Sequence, residues 1–348
     1  MKPLYEFSRT EMHALFTKAS RFSAFLTVLG FAWLLFCIYT YYATASASLQ
    51  KWLGIFFVIS LIAWFVFTLG QIFLLRILST PLHSLREEKI GMYTRNELDT
   101  LVNEVFEHAL ENEKPSIYLL NLDAANALAV NIYLLNFIKP LNALYITRKC
   151  LECLERQELK AILYHEMGHF NGFMYAGSRT VKFSLFFVLF MPFAFTVAFN
   201  GGVGFSYVIG LLVFLFLLAK IVLGSAEKRN HAIEHLSDLY AADKVGALST
   251  INALIALGRA NEPTSDKKKK DSLKEKLVLP ARKLIQWANF DTDVVNGKIE
   301  PSEYVHFINT VEATTNPRIL GKAPIDEESN SHPSLTKRVL FIHRNSKQ

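Results

Sequence analysis

The hydrophobic positions of this chain form three long uncharged runs, and shorter stretches between them have the periodicity of strands or helices. Residues 22–50, 52–75 and 183–219 contain no Asp, Glu, Lys or Arg. A helix needs about 20 apolar residues to cross a bilayer. The apolar cores of the first two runs, Phe22 to Tyr42 and Trp52 to Leu75, therefore predict two transmembrane helices. Such a pattern is not that of a purely soluble enzyme or of a disordered chain.

The third run, residues 183–219, is interrupted by Asn200, Gly201, Gly202 and Gly204. We expect a hairpin of two shorter helices there, which leave the membrane on the same side. The helix before Asn200 is only about 25 Å long at 1.5 Å per residue. The hairpin therefore either crosses a thin membrane twice or enters and returns.

Lysine and arginine are concentrated on one side of these runs. They occur before the first run, after the second and at both ends of the hairpin, whereas the loop between the first two runs has only Lys51. By the positive-inside rule, both termini and the polar segments face the cytoplasm. We therefore divide the chain into a membrane anchor (1–76), a polar segment (77–181), an apolar hairpin (182–225) and a second polar segment (226–348).

The polar segments combine short β-rich stretches with amphipathic helices. PSIYLLNL, ALAVNIYLLN and ALYITRK have the composition and alternation of strands. A helical pattern follows from about Leu151 to Phe170, and another from Glu227 to Ala247. These patterns predict a mainly helical α+β domain, with a small sheet beside two helices and four apolar helices as its membrane anchor.

The positive charge indicates contact with a lipid bilayer rather than with nucleic acid. The net charge is +6, and charged residues make up 20% of the chain, below the roughly 25% of soluble proteins. Basic residues are spread around the flanks of the apolar runs. The dense basic run, 267–270, lies in a polar stretch typical of a solvated loop.

Cysteine contributes little to the predicted chemistry. Three cysteines are too few for a disulfide framework. Cys150 and Cys153 form a C-x-x-C pair, which is either a redox or metal pair or two small apolar residues on one helix face. No second pair completes a four-cysteine zinc site, so we favour the packing role.

The chemically specific motif is H-E-x-x-H, formed by His165, Glu166 and His169. Histidines at i and i+4 project from one face of a helix, so both rings can bind one Zn²⁺, and the intervening glutamate can take a proton from water. Glu166 also falls within an apolar stripe, where a carboxylate is costly unless a metal or a partner compensates its charge. The alternative is a helix-edge glutamate with two surface histidines. The stripe consists of Leu159, Ile162, Leu163, Met167 and Phe170.

A catalytic zinc needs a third protein ligand and keeps one position open for water. His231, Glu234, His235 and Asp238 share one face of the second predicted helix. Glu234 could bind the metal, and Asp238, one turn later, could accept the free ring N–H of a ligand histidine. By position alone His231 and His235 remain rival ligands.

The order of these motifs resembles that of the HtpX-type membrane zinc metallopeptidases and, more distantly, of the CAAX prenyl endopeptidases. The resemblance covers most of the chain and is weak across 261–330, which looks like an insertion. It rests on four segments. Asn126–Ala129 is similar to N-A-F-A, and residues 143–169 are similar to the family's strand and H-E-x-x-H helix. Glu234–Asp238 is similar to E-x-x-A-D, with Ser237 replacing Ala, and His332, Pro333 and Arg338 are similar to H-P-x-x-x-x-R.

The resemblance implies a metal site and its chemistry. One Zn²⁺ per chain would be bound by His165, His169 and Glu234, and Glu166 would be the catalytic general base. Asp238 would hold a ligand histidine through its second ring nitrogen. Water would attack the peptide bond directly, without a covalent acyl-enzyme.

The resemblance also implies residues on the substrate side. His332, with Arg338, would approach the active site and stabilise the oxyanion, although His332 could equally begin a helix. Asn126 and Ala129 would lie in an edge strand that holds an extended substrate through its main chain. The replacement of Ala by Ser237 is expected to be harmless, because both residues are small.

We therefore expect an integral-membrane zinc metalloendopeptidase, with both termini and the active site in the cytoplasm. By resemblance, its substrates would be misfolded or damaged membrane proteins, and its location the bacterial inner membrane. Two alternatives remain open: a CAAX-type maturation protease with a dedicated substrate, and a non-catalytic membrane scaffold with a structural zinc. An intramembrane protease and a transporter are disfavoured, because the metal motif and nearly all charges lie outside the apolar runs.

Overall fold

The structure is a computed structural model, and it describes mainly the polar segments of the chain. None of the helices among its described residues combines the length and the apolar character that a bilayer span requires. The three uncharged runs lie almost entirely outside the described residues, and so does the segment 262–297. The described residues are 6–22, 25, 39, 55, 58, 59, 62, 66, 76–85, 88–107, 116–122, 124–130, 143–169, 228–261, 298–315, 333 and 335–346.

The described elements are mainly helical, with one small sheet and one two-stranded ribbon. The helices are α1 (9–22), α2 (Arg95–Phe106), α3 (Arg148–Cys153), α4 (Arg156–Gly168), α5 (228–245), α6 (Ala247–Ala260), α7 (Tyr304–Thr315) and α8 (Leu335–Asn345). The strands are β1 (Ser79–Pro81), β2 (Lys89–Ile90), β3 (Tyr93–Thr94), β4 (Ser116–Leu120), β5 (Ala127–Val130) and β6 (Ala143–Thr147).

The four-stranded sheet has the order β1-β4-β6-β5. The two central strands, β4 and β6, are parallel, whereas β1 and β5 run antiparallel to their neighbours. The three β-rich stretches of the sequence contain β4, β5 and β6, which confirms their prediction as strands. Among the described strands, β5 is the outermost on its side of the sheet.

The helix predicted over 151–170 is interrupted near its beginning, and this corrects the sequence prediction. Thr147 caps α3 by accepting a hydrogen bond from the backbone of Cys150. Leu154 then adopts an extended conformation, and Glu155 starts α4 in a reciprocal capping box with Glu158. Two capping signals outweigh the continuous apolar periodicity, because each supplies partners for backbone groups at a helix end.

The apolar core of the domain is formed by α4 and the helices and strand that pack against it. Helix α4 contacts α2, α6 and β5. The apolar stripe predicted on α4 is buried at its described positions, which confirms the orientation expected from the sequence. These positions are Leu159, Ile162, Leu163 and Met167.

Helix α1, which precedes the first apolar run, packs against α5 and α8. Arg9 forms an ion pair of 2.6 Å with Asp243 of α5, and the Asn345 side chain of α8 donates to the Phe7 carbonyl at 3.1 Å. The N-terminal segment is thus part of the folded domain. The buried apolar residues of this contact are Met12, Ala232, Leu236, Leu239 and Phe341.

The contact made by α1 predicts that truncating its central side chain destabilises the domain. Met12 is fully buried, so Met12→Ala leaves a cavity, and Met→Ala changes in cores cost about 2–5 kcal/mol. We expect a lower thermal unfolding midpoint for the purified variant. Thr17→Ala, on the exposed side of α1, is the control, and equal midpoints for both variants would contradict this packing.

Candidate metal centre

The two histidines of the H-E-x-x-H motif face each other at the end of α4. Their Nε2 atoms are 3.1 Å apart, and their rings meet edge to face. Potential ligand atoms of His165, Glu166 and His169 all lie within 4.8 Å of one another. Glu166 is only 4% exposed, as the apolar stripe predicts. The motif thus forms a compact group of metal-binding side chains.

Helix α5 brings a carboxylate to both histidines. The Glu234 oxygens lie 3.5 Å from His165 Nε2 and 3.4 Å from His169 Nε2. A tetrahedral zinc ion with bonds of about 2.0–2.1 Å separates its ligand atoms by about 3.4 Å. The three side chains therefore fit one zinc ion in both donor type and spacing.

Of the rival ligands on α5, His235 is placed differently from Glu234. The His235 ring packs against Phe341, with ring centroids 4.7 Å apart. Burial lowers the pKa of His235 to about 3, so this ring is neutral at physiological pH. His231 is also buried. The geometry therefore favours Glu234 among the candidates that the sequence left open.

Asp238 lies beside the Nδ1 atom of His165, whereas Glu234 lies beside the Nε2 atom of the same ring. Its Oδ1 lies 2.9 Å from His165 Nδ1, while Arg338 donates to both of its oxygens, from Nε at 2.7 Å and from Nη2 at 2.5 Å. Burial favours the neutral acid, but the charge and hydrogen bonds of Arg338 lower the pKa of Asp238 to about 2. An ionised Asp238 accepts the Nδ1 proton and leaves His165 Nε2 available for the metal.

The same contacts determine the protonation of His165 in the metal-free protein. Burial favours the neutral ring, but Asp238 and Glu234 together raise the pKa of His165 to about 9. Without a metal, a proton on this ring partly balances the two carboxylates. A bound cation would replace that proton, which is the behaviour expected of a metal site.

Arg338, which the sequence analysis placed on the substrate side, supports the carboxylates of the metal centre. Its side chain is 1% exposed, and its Nη1 lies 3.7 Å from Glu234 in addition to the pair with Asp238. These contacts balance the charge of the two carboxylates, and the predicted contact of Arg338 with a substrate stays a prediction. His332 lies outside the described residues, so its predicted role stays a prediction.

Ser237 contributes a contact that the sequence did not reveal. Its hydroxyl lies 3.4 Å from His169 Nδ1, so it can accept the proton of that nitrogen when Nε2 faces a metal. A Cβ on Gly168 would approach Ser237 to 3.1–3.2 Å, so glycine allows α4 and α5 to come this close. The sequence signal was the serine itself, which stands where the similar motif has alanine.

The cysteine pair has no reactive character in the structure. Cys150 is fully buried in the core, and the Cys153 thiol donates to the Cys150 carbonyl at 3.7 Å. Burial raises the pKa of Cys150 well above its usual value and that of Cys153 to about 11. Two neutral thiols packed in α3 favour the structural interpretation.

The residues expected to bind substrate lie at or near the outer strand of the sheet. Asn126 is buried just before β5, and its backbone exchanges hydrogen bonds with Thr147, from N to Oγ1 at 2.9 Å and from the Thr147 N–H to the Asn126 carbonyl at 2.9 Å. Ala129 lies within β5, opposite Leu144 of β6. Their contact with substrate stays a prediction.

The fold and the site define the catalytic domain of an H-E-x-x-H zinc metallopeptidase. The family model described as Peptidase family M48 matches residues 93–345, which is more than half of the chain. The protein therefore belongs to peptidase family M48. No curated protein and no solved structure gives a significant match to the chain.

The contact between Ser237 and His169 predicts a measurable effect on metal affinity. Hydrogen-bond partners of metal ligands contribute about 10–100-fold to affinity, and a contact as long as 3.4 Å belongs at the low end of that range. We expect Ser237→Ala to weaken zinc binding several-fold in competition with a chelator. Asp238→Asn, which alters a shorter contact, should weaken it more. Unchanged affinity in Ser237→Ala would contradict the proposed support.

Proposed function

We propose that this M48 peptidase is an HtpX-type membrane zinc endopeptidase with its active site on the cytoplasmic side. The observation that carries the proposal is the group formed by His165, His169 and Glu234 beside the buried carboxylate of Glu166. Three protein ligands are typical of a catalytic zinc, which retains an open position, whereas a structural zinc usually has four.

The chemistry divides between the metal and Glu166. When bound, zinc would polarise the scissile carbonyl and lower the pKa of water at the site. Glu166 would take the proton of the attacking water and pass it to the leaving amine. A non-catalytic scaffold with a structural zinc would not need a buried glutamate between its two histidines. This position of Glu166 therefore favours an enzyme.

Strand β5 would hold the substrate. As the outermost described strand on its side, it can offer backbone N–H and C=O groups to an extended peptide, which would pair with it as an added strand. Helix α4, which carries the two histidines and Glu166, contacts β5. A peptide bound along this edge would lie beside the metal centre. Ala129 would contribute through its backbone, whereas Asn126, whose backbone pairs with Thr147, would hold the start of the strand.

The membrane location is supported by the sequence pattern. The uncharged runs are long enough to span a bilayer, and the few apolar side chains described within the first two are exposed to 38–72% in the structure, as lipid-facing side chains would be. By the HtpX resemblance, the substrates would be misfolded or damaged proteins of a bacterial inner membrane. The exposed residues are Phe25, Tyr39, Ile55, Val58, Ile59, Ile62 and Val66.

The role of Glu166 can be tested with a single isosteric substitution. Glu166→Gln preserves the shape of the side chain but removes the base, so we expect normal zinc content and a loss of casein cleavage by at least about 100-fold, as for other general bases. Zinc content and cleavage are measured on the same detergent-purified sample. Full proteolysis by Glu166→Gln would contradict the assignment.

A further inference from the structure

Two asparagines of the α6 region make the same reciprocal contact with backbone groups far away in the chain. The Asn261 amide accepts from Ala125 N–H at 2.8 Å and donates to the Ala125 carbonyl at 2.7 Å. Asn252 makes the equivalent pair with Ile299, at 3.0 Å for both bonds. Because a side-chain amide offers a donor and an acceptor, each asparagine acts like one rung of a β-ladder.

The contact between Asn261 and Ala125 lies just before the start of β5. Ala125 is fully buried and precedes Asn126, whose backbone is held by Thr147 at the end of β6. Two consecutive residues are thus fixed, one from the α6 side and the other from within the sheet. From there the chain continues directly into β5.

Asn261 is itself firmly placed. Its backbone N–H donates to the carbonyls of Leu257 and Gly258, both at 3.2 Å, at the end of α6. Helix α6 also packs against α4, which carries the metal-binding histidines. The same helix therefore contacts the metal-binding helix and holds the strand beside it.

We infer that Asn261 is a positioning residue for substrate: it fixes the edge of β5 relative to the metal centre. The inference rests on the proposed role of β5 in binding an extended peptide. An extended peptide pairs with such a strand through main-chain hydrogen bonds, which supply its affinity, so a displaced strand would bind the peptide less tightly. Asn261 contacts none of the metal-binding side chains through its described hydrogen bonds, so its loss should act on substrate and leave the metal in place.

The inference is tested with Asn261→Ser and the matched control Asn252→Ser in the full-length, zinc-loaded protein. Both variants lose the same type of contact from the same region, but only Asn261 holds β5. For quenched peptides long enough to pair with the strand, we expect Asn261→Ser to raise KM at least about fivefold, with kcat and zinc affinity little changed. The KM of Asn261→Gln, whose side chain keeps the amide but is one methylene longer, should lie between that of Asn261→Ser and that of the parent protein.

Asn252→Ser should lower the thermal unfolding midpoint without changing KM. An equal change of KM in both serine variants, or no change in either, would overturn the inference. Amide hydrogen exchange over 125–130 gives a second readout that needs no activity: it should increase in Asn261→Ser and not in Asn252→Ser. Unchanged exchange would overturn the positioning role. A parent protein that cleaves no peptide, together with the expected exchange result, would instead count against the proposed function.

Discussion

The buried ion pair between Arg338 and Asp238 is the interaction on which the metal centre depends. Asp238 fixes the ring of His165, and Arg338 also approaches Glu234. An unpaired charge at this depth costs several kcal/mol, so neither carboxylate could remain ionised in the core without a cation. The bidentate pair uses Nε and Nη2 of the guanidinium, a geometry that lysine cannot reproduce.

This constraint explains how distant segments of the chain form one site. The histidines come from α4, the carboxylates Glu234 and Asp238 from α5, and the balancing arginine from α8. Helix α1 packs on α5 and α8 together, which stabilises their relative position. Helix α6 packs on α4 and, through Asn261, holds the entrance of β5. The metal centre and the outer strand are thus parts of one packed framework.

The sequence was most informative where the chemistry has a fixed local spacing. The motif of His165 and His169 and the apolar stripe around Glu166 could be predicted because i, i+4 spacing determines which side chains share a helix face. Three of the described strands, β4, β5 and β6, were predictable from their alternating or β-rich sequence. The choice of Glu234 over its neighbours needed the structure, because several residues of α5 occupy the same face.

Other features could not be predicted because they depend on contacts between distant segments. The burial of Arg338 follows from the docking of α8 on α5, and the amide contact of Asn261 joins residues 136 positions apart, which no periodic pattern records. The break at Leu154 was missed because two capping signals interrupt an apolar pattern that is otherwise continuous. The contact between Ser237 and His169 depends on the close approach of α4 and α5, which the sequence does not show.

Binding of zinc by two histidines and one carboxylate can be measured by X-ray absorption spectroscopy at the zinc edge, on the purified protein loaded with one equivalent of zinc. We expect a shell of nitrogen and oxygen atoms at about 2.0–2.1 Å, with the outer scattering of two imidazole rings. A sulfur shell at about 2.3 Å, which would indicate cysteine ligands, or the scattering of three or more imidazoles would contradict this set of ligands.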